Sequence, residues 1–288
     1  MKFLKISAVL LIIALIPAGR SYGTSPATTT TDQYATKNKS TMQKRYCLAF
    51  DLRKDPALMK QYKYVHTKEG IWPEIPEGIK KAGIKDMEIY LWDNRMFMIL
   101  ETPPNWDYDS RMAELGTFEK QAEWGNYVWQ FQQLLPYSKN GEKWMHMENV
   151  FQLNTTGLKE TATSGYSEPV YDKPTKRFCA TLDLKDNPEL ISQYRKYHSP
   201  GTHWPEIARG IRSVGILDMQ IYLIGNRMFM IAQTAPDFQW DRQMQKLSTL
   251  EKQKDWEILM KNFQQALPGT HEVKWELMEK VFDLDRDF

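Results

Sequence analysis

Between Tyr46 and Leu52 the chain alternates large apolar residues with small or polar ones. A repeat of two residues is typical of a strand, so this pattern predicts a β-strand. The next residues signal a change of element. Asp55 followed by Pro56 is a common helix start, because Asp can cap the first amide groups and Pro suits the first helical position. Apolar residues then recur at helical spacing as far as His66, which predicts a first helix.

The rest of this unit is predicted from similar signals. A second helix begins after Trp72 and ends at Gly83, a residue that readily terminates helices. Two strands follow around a short Asp93-Asn94 turn, which is a hairpin signal. A long helix and a last strand close the unit, so that the four later elements fall at 87–91, 96–100, 107–135 and 144–153. The order β-α-β-β-α-β is that of ferredoxin-like folds.

The whole unit occurs twice in the sequence. Nearly half of the positions from Lys44 to Pro136 are identical in a second copy that aligns without a gap. The repeat predicts two tandem domains, 44–153 and 176–284, joined by a linker at 154–175 that is rich in Thr, Ser, Gly and Pro. The predicted fold class is therefore α+β, with two tandem ferredoxin-like domains.

A four-stranded sheet of this kind carries its helices on one face and leaves the other face bare. The bare face would expose a large apolar patch to water, and the second copy can cover it. We therefore expect the two sheets to pack face to face as an intramolecular pseudo-dimer.

The first residues are typical of an export signal. Lys2 and Lys5 precede an apolar run at 6–16, and small residues follow near Gly23. The run is too short to span a bilayer, so no stable membrane anchor is expected. We predict a signal peptide at 1–23, a flexible tether at 24–43, and a periplasmic or secreted protein.

Composition narrows the possible functions. Lys and Arg number 38 against 36 for Asp and Glu, a balance that argues against duplex nucleic acid as a partner. The two cysteines, Cys47 and Cys179, fall within strands and are expected to be small buried residues rather than a disulfide. The sequence shows no phosphate-binding loop, catalytic-serine elbow or metal-binding motif. The 10 Trp and 14 Tyr residues suit flat, half-polar ligands such as sugars as well as a core.

Two histidines occupy the same repeat position and stand one helical turn after a tyrosine. Tyr62 and His66, like Tyr194 and His198, are at i and i+4 and therefore share a helix face. An imidazole can both take and give a proton near neutral pH, so each pair could act on one small polar ligand. The alternative is a solvent-facing Tyr–His pair on an amphipathic helix.

An acid stands beside an indole in the late helix of each copy, at Glu123-Trp124 and Asp255-Trp256. The indole could lie against a sugar ring while the carboxylate accepts hydrogen bonds from its hydroxyls. A core Trp next to a solvated acid explains the same pair. Trp-Pro-Glu at 72–74 and 204–206 is most simply a helix-entry device.

The ordered motifs of each copy resemble the L-rhamnose mutarotase family. They are Tyr-x-x-x-His, then Trp-Pro-Glu, an Ile-Tyr-Leu strand, an aromatic-rich late helix and a closing Val-Phe strand, and they extend over 44–153 and 176–284. The resemblance implies ferredoxin-like domains paired as a dimeric α/β barrel. It also implies an isomerase that interconverts the α and β anomers of L-rhamnose without a cofactor.

The resemblance also implies roles for individual residues. The family's proton-donating histidine matches His66 and His198, and its contacting tyrosine matches Tyr62 and Tyr194. Two further family positions differ here. A second contacting tyrosine is replaced by methionine, and the first indole of a Trp-Trp pair is replaced by a carboxylate, at Met87, Met219, Glu123-Trp124 and Asp255-Trp256.

We therefore predict an exported aldose mutarotase that acts on a 6-deoxyhexose, either L-rhamnose or L-fucose, and uses no metal. Each imidazole is expected to reach an aromatic pocket on the bare side of its sheet. Two alternatives stay open: a sugar-binding protein that has lost turnover, and a monooxygenase on the same fold.

Overall fold

The structure is a computed structural model that describes residues 36–38, 41–139, 141–154, 160–202 and 204–288. The predicted signal peptide at 1–23, and most of the predicted tether at 24–43, lie outside the described residues. Among the described residues, no helix is both long and apolar enough to cross a lipid bilayer.

The first copy and the linker contain seven strands and four helices in the described ranges. In chain order they are β1 (Lys44–Leu52), α1 (Pro56–Val65), α2 (Glu74–Lys81), β2 (Asp86–Trp92), β3 (Arg95–Thr102), α3 (Tyr108–Leu115), α4 (Gln121–Trp129), β4 (Gln132–Gln133), β5 (Met145–His146), β6 (Glu148–Gln152) and β7 (Tyr166–Ser167).

The second copy repeats this order and adds a short terminal helix. Its elements are β8 (Lys176–Leu184), α5 (Pro188–His198), α6 (Pro205–Ser213), β9 (Ile216–Ile224), β10 (Arg227–Thr234), α7 (Trp240–Ser248), α8 (Gln253–Met260), β11 (Gln264–Gln265), β12 (Glu276–Leu277), β13 (Glu279–Asp283) and α9 (Leu284–Asp287).

The helix that carries the Tyr–His pair begins as the sequence predicts. The Asp55 side chain accepts hydrogen bonds from the backbone amides of Ala57 and Leu58, which satisfies two of the amides that a helix leaves open at its start. Asn187 does the same for α5. The predicted strands around 46–52, 87–91 and 96–100 are confirmed as β1, β2 and β3.

The long late helix is divided in two, contrary to the single helix predicted over 107–135. In both copies the break falls just before α4 or α8, at a lysine with positive φ: Lys120 at 61° and Lys252 at 63°. A left-handed residue cannot continue a right-handed helix, so the chain turns there.

The last strand also departs from the prediction. It does not close its own unit but divides into two parts, and the longer part joins the other copy. In the first copy, β5 pairs with β1 while β6 pairs with β9 of the second copy. The second copy does the same, since β12 pairs with β8 and β13 with β2. The main strand orders are therefore β13-β2-β3-β1-β4 and β11-β8-β10-β9-β6.

The bare faces of the two sheets pack against each other, which confirms the intramolecular pseudo-dimer. An apolar layer of buried residues from both copies lies between the sheets, with the rings of Phe97 and Phe229 stacked at 4.7 Å near its middle. Cys47 and Cys179 belong to this layer as buried free thiols. The two copies thus form one compact body, an intramolecular dimeric α/β barrel.

Part of the segment predicted as a linker belongs to the first sheet. Tyr166 and Ser167 form β7, which pairs with the start of β1. The segment therefore connects the two copies and also extends one of their sheets. Lys37, within the predicted tether, forms an isolated β-bridge to Thr175 at the end of this segment.

Candidate functional site

The second copy holds a cavity of about 490 Å³ between its sheet and its helices. The cavity lies on the helix-covered face, so the expectation of a pocket on the bare side was wrong. The bare side is filled by the opposite sheet. A volume of this order is usual for small-molecule sites.

His198 and Tyr194 both line this cavity. Their rings are nearly parallel, with centroids 4.0 Å apart, because the two residues are one turn apart on α5. The Nδ1 of His198 lies 2.9 Å from the backbone carbonyl oxygen of Tyr194. A carbonyl can only accept, so Nδ1 carries the proton and donates, and Nε2 is the ring nitrogen suited to acid–base chemistry.

The hydroxyl of Tyr194 is buried and has no hydrogen-bond partner among the described residues. The side chain is 0% exposed, and burial raises the pKa of this phenol well above its ordinary value. The hydroxyl therefore stays protonated and can donate. A buried hydroxyl without a partner costs about 1–3 kcal/mol, which a ligand oxygen at this position would recover.

Aromatic side chains form the walls of the cavity. Trp256 lies edge-on to His198 at 5.4 Å and to Trp204 at 5.5 Å. Phe151, on the exchanged strand β6, lies edge-on to His198 at 5.7 Å. The remaining surface near the sheet is apolar and is formed by Leu182, Met219, Ile221 and Met230. Both copies therefore contribute to this one site.

The first copy repeats the Tyr–His pair. The His66 Nδ1 donates to the carbonyl of Tyr62 at 2.8 Å, and the two ring centroids are 4.1 Å apart. Phe282 on β13 lies 6.0 Å from the His66 ring, as Phe151 does in the second copy. Burial lowers the pKa of His66 to about 4, against the opposing hydrogen bond to Tyr62. His66 is consequently neutral at physiological pH.

Other residues implied by the resemblance divide into two groups. Met219 and Trp256 line the cavity, and Met87 and Trp124 are buried at the corresponding positions of the first copy. The structure does not bring the two carboxylates to either pair. Glu123 contacts Lys120 at 2.9 Å and Asp255 contacts Lys252 at 3.2 Å, both on the exposed helix face.

The position of the carboxylates has a simple geometric cause. Each acid directly precedes its tryptophan, and consecutive residues on an α-helix point about 100° apart. Because Trp124 and Trp256 face the sheet, Glu123 and Asp255 face the solvent. The structure thus favours the solvated-acid interpretation of these pairs.

Several residues that line the cavity were missed by the sequence analysis. Gln253 and Gln264 are conspicuous because identical glutamines occupy the same repeat positions, Gln121 and Gln132. That identity was a signal that could have pointed to them. Phe151 repeats as Phe282, but the sequence did not show which histidine either ring contacts, because that contact depends on the strand exchange. The further lining residues include Trp240, Lys261, Lys274 and Trp275.

One buried acidic cluster has ligand spacing that could hold a metal ion. Carboxylate oxygens of Asp86, Glu88 and Asp283 lie within 4.8 Å of one another. Three cations already pair with them: Lys37 is 2.8 Å from Asp283, Lys280 is 2.8 Å from Glu88, and the guanidinium of Arg177 also contacts Glu88. The cluster is therefore an ion-pair network rather than a cation site.

The fold and the site together define a class: a two-copy α/β barrel with a Tyr–His pair under an indole wall in each copy. The model of the L-rhamnose mutarotase family matches residues 45–153 and 177–284. The chain therefore belongs to the L-rhamnose mutarotase family, in a tandem two-copy form.

Two curated relatives each match a single segment. An L-fucose mutarotase of Xanthomonas campestris pv. campestris is 32% identical over 110 residues, which is 38% of this chain and 88% of that protein. An L-rhamnose mutarotase of Burkholderia orbicola is 31% identical over 83 residues, 28% of this chain and 74% of that protein.

Among solved structures, an anthrone oxidase-like protein matches 85% of this chain and 92% of its own chain. Its TM-score is 0.41 and its sequence identity 8%. At that score the likeness carries no argument about function.

Proposed function

We propose that this protein is an aldose mutarotase that interconverts the anomers of a 6-deoxyhexose, L-rhamnose or L-fucose, in the cavity of the second copy. The observation that carries the proposal is the pair at the cavity surface. It combines a histidine whose Nδ1 donates to a carbonyl with a fully buried tyrosine hydroxyl that has no hydrogen-bond partner in the described part of the chain. Such a pair supplies a proton carrier and a donor for a sugar oxygen.

Mutarotation needs one proton to move between two oxygens on the same carbon. The Nε2 of His198 takes the proton of the anomeric hydroxyl O1 while the bond between C1 and the ring oxygen O5 breaks. The electron pair of that bond goes to O5, and the imidazolium then gives the proton to O5. The product is the open-chain aldehyde, with a C1=O1 double bond and a hydroxyl at O5.

The second anomer forms by the same steps in reverse. Rotation about the C1–C2 bond presents the other face of the aldehyde, and O5 attacks it. His198 thus acts first as a base and then as the proton donor that the family resemblance implies. A well-placed acid–base group contributes about 10²–10⁴-fold to a rate, which is sufficient for a reaction with a modest barrier.

Tyr194 would orient the sugar. Its raised pKa keeps it protonated, so the hydroxyl donates a hydrogen bond to an oxygen at the reacting end of the ring. The indole of Trp256 offers a flat apolar surface to the C–H face of the sugar.

The apolar surface of the cavity favours a deoxy sugar. Met219, Ile221 and Met230 would contact the methyl group that replaces a hydroxymethyl group in a 6-deoxyhexose. A hydroxyl placed against these side chains would lose its hydrogen bonds to water, at a cost of about 1–3 kcal/mol.

The test is the rate of anomer exchange, followed by saturation-transfer NMR for L-rhamnose, L-fucose and the corresponding 6-hydroxy hexoses. We expect the protein to accelerate exchange of the 6-deoxy sugars and the His198→Gln variant to lose that acceleration. Binding of a 6-deoxyhexose without faster exchange would instead identify a sugar-binding protein. Equal exchange by wild type and His198→Gln would refute the catalytic assignment.

We also propose that the chain is exported and cleaved near Gly23, on the basis of the basic, apolar and small-residue segments at 1–23. Mass spectrometry of the protein from the expressing cell's periplasm or medium would then show a chain that begins close to Thr24. Recovery of the uncleaved chain from the cytoplasm would contradict export.

A further inference from the structure

The two copies share the Tyr–His pair but differ in the walls around it. We propose that only the second copy is a working site and that the first is closed by a pair of stacked aromatic side chains, Phe50 and Trp129. The claim that the second copy works rests on the proposed function, whereas the closure of the first copy does not depend on it.

The closing pair occupies positions where the second copy is open. The rings of Phe50 and Trp129 stack, with centroids 6.0 Å apart and planes 18° from parallel. The equivalent residues of the second copy, Leu182 and Lys261, both line the cavity. The first copy thus places two large rings where the second has an aliphatic side chain and a flexible cation.

Neighbouring side chains hold the closing pair in place. Trp144 lies 5.3 Å from Phe50, and the ammonium group of Lys143 lies 4.8 Å from the Trp129 ring on its face. Their equivalents, Trp275 and Lys274, line the open cavity of the second copy. A residue that borders empty space in one copy therefore borders an aromatic ring in the other.

The indole nearest the histidine shows the same difference. Trp124 is 8% exposed and contacts Tyr127, which stacks on Trp72 at 5.5 Å. Its equivalent Trp256 is partly exposed, and Leu259 stands where the first copy has Tyr127. The two contacts of Tyr127, with Trp124 and with Trp72, have no aromatic counterpart among the described residues of the second copy.

The polar groups beside the tyrosine agree with this difference. In the first copy Gln132 is buried and interacts with the Tyr62 phenol, though without hydrogen-bond geometry. In the second copy the equivalent Gln264 lines the cavity. Gln264 thus borders the open cavity that Tyr194 also lines, whereas Gln132 is buried beside Tyr62.

The test exchanges the two walls. Phe50→Leu with Trp129→Lys gives the first copy the residues of the second, and Leu182→Phe with Lys261→Trp does the reverse. Titration calorimetry with L-rhamnose and L-fucose should show one sugar per wild-type chain, two for the opened variant and none for the closed variant. Two sugars per wild-type chain would overturn the inference.

Anomer exchange gives a second readout. The His198→Gln variant should keep less than about a tenth of the wild-type rate of exchange, because no second site works. Adding His198→Gln to the opened variant should leave measurable exchange, because the first site would now work. If His198→Gln keeps about half of the rate in the wild-type background, and adding His66→Gln removes that half, the first site works and the inference fails, while the proposed function stands.

Xenon separates the closure from the function, because it enters apolar cavities whatever the enzyme's substrate. Crystals of the wild type under xenon pressure should show the gas beside His198 and not beside His66, and the opened variant should show both. If no sugar is bound or exchanged but xenon follows this pattern, the proposed function is wrong and the closure stands. Xenon beside His66 in the wild type would refute the closure. The closed variant fills space rather than creating it, so it provides the test if the opened variant does not fold.

Discussion

The two copies differ in the side chains that they place around the buried arginines of their interface. Arg45 and Arg177 occupy the same repeat position and are both buried between the sheets. The first copy surrounds them with two buried carboxylates, Glu88 and Glu101, whereas the second has amides, Gln220 and Gln233, at the equivalent positions. A duplicated chain can make this distinction, but two identical subunits cannot.

The hydrogen bonds follow the difference. Arg177 crosses the interface to both Glu88 and Glu101, while Arg45 donates to Gln220 at 2.8 Å and to Glu101 at 3.1 Å. Glu168, from the segment between the copies, supplies a further carboxylate to Arg45. Four carboxylates on the pseudo-twofold axis would repel one another in a medium of low dielectric constant. The amides of the second copy avoid that repulsion and still accept hydrogen bonds.

The largest effect is expected from removing the arginine that crosses the interface. Arg177→Met should lower the free energy of unfolding by about 3–5 kcal/mol, because Glu88 and Glu101 would keep their buried charges and lose this cation. The measurement is urea unfolding followed by circular dichroism.

The matched control is an exposed pair that also joins the two copies. Arg195 contacts Glu148 at 2.6 Å, but both side chains are about half exposed. Arg195→Met should change stability by less than about 1 kcal/mol. Equal losses of stability in the two variants would mean that burial does not determine how much an ion pair between the copies contributes to the free energy of unfolding.

A smaller loss of stability is expected when the pH is lowered, because His66 in the first copy is buried as the neutral imidazole. His66 has a pKa of about 4 when folded and about 6.5 when unfolded, so the unfolded chain binds its proton first as the pH falls. The contribution of His66 to stability is fully present above pH 6.5. It is lost progressively as the pH falls from 6.5 to 4. The loss due to this histidine is about 3 kcal/mol, because each tenfold difference in proton affinity between the folded and unfolded chain corresponds to about 1.4 kcal/mol.

Three buried carboxyls with raised pKa, those of Asp51, Asp86 and Asp218, act in the opposite direction and must be separated from this effect. Burial raises the pKa of Asp86 and of Asp218 to about 6, so both favour the folded state as the pH falls. Urea unfolding of wild type and His66→Asn between pH 7 and pH 4 isolates the histidine. If the two proteins lose stability in parallel over this range, the lowered pKa of His66 is wrong.

Next in size is the contribution of the buried hydroxyl in the open site. Tyr194→Phe should slow anomer exchange by roughly 10–100-fold, the equivalent of one hydrogen bond of about 1–3 kcal/mol to the sugar. Without sugar, the same change should leave stability unchanged or raise it, since the hydroxyl has no partner among the described residues. Tyr62→Phe serves as the matched control and should alter exchange by less than twofold.

A similar loss of exchange in both tyrosine variants would show that the two sites share the work. A stability loss in Tyr194→Phe would show that the hydroxyl already has a protein partner. The two tyrosine variants together therefore test whether the second copy carries out the anomer exchange and the first does not.

The sequence was most informative where structure is local. The strand at Tyr46–Leu52 and the helix started by Asp55 and Pro56 depend on side-chain alternation and on capping within a few residues, and both are present. The repeat gave the tandem architecture, and the resemblance gave the His66 and His198 positions. These inferences need no knowledge of which surfaces meet.

Apart from the face-to-face packing of the two sheets, the features that depend on distant contacts were not predicted. The division of the late helix occurs at Lys120, whose left-handed conformation has no glycine or proline to signal it. The exchange of β6 and β13 between the copies depends on tertiary contacts. It brings Phe151 to a histidine of the other copy. The difference between Phe50 and Leu182 is visible in the sequence, but its closeness to position 129 is not.

The smallest effect is expected from the carboxylates next to the indoles. Asp255→Asn and Glu123→Gln should each change stability by less than about 0.5 kcal/mol, because their partners Lys252 and Lys120 form exposed pairs that water and salt screen. Anomer exchange should be unchanged in both variants, since neither carboxylate faces a Tyr–His pair. A tenfold loss of exchange in Asp255→Asn alone would place that side chain at the sugar. It would require the N-terminal turn of α8 to rotate toward the cavity when the sugar binds, and would make the second copy an induced-fit site that differs from the first in its motion as well as its walls.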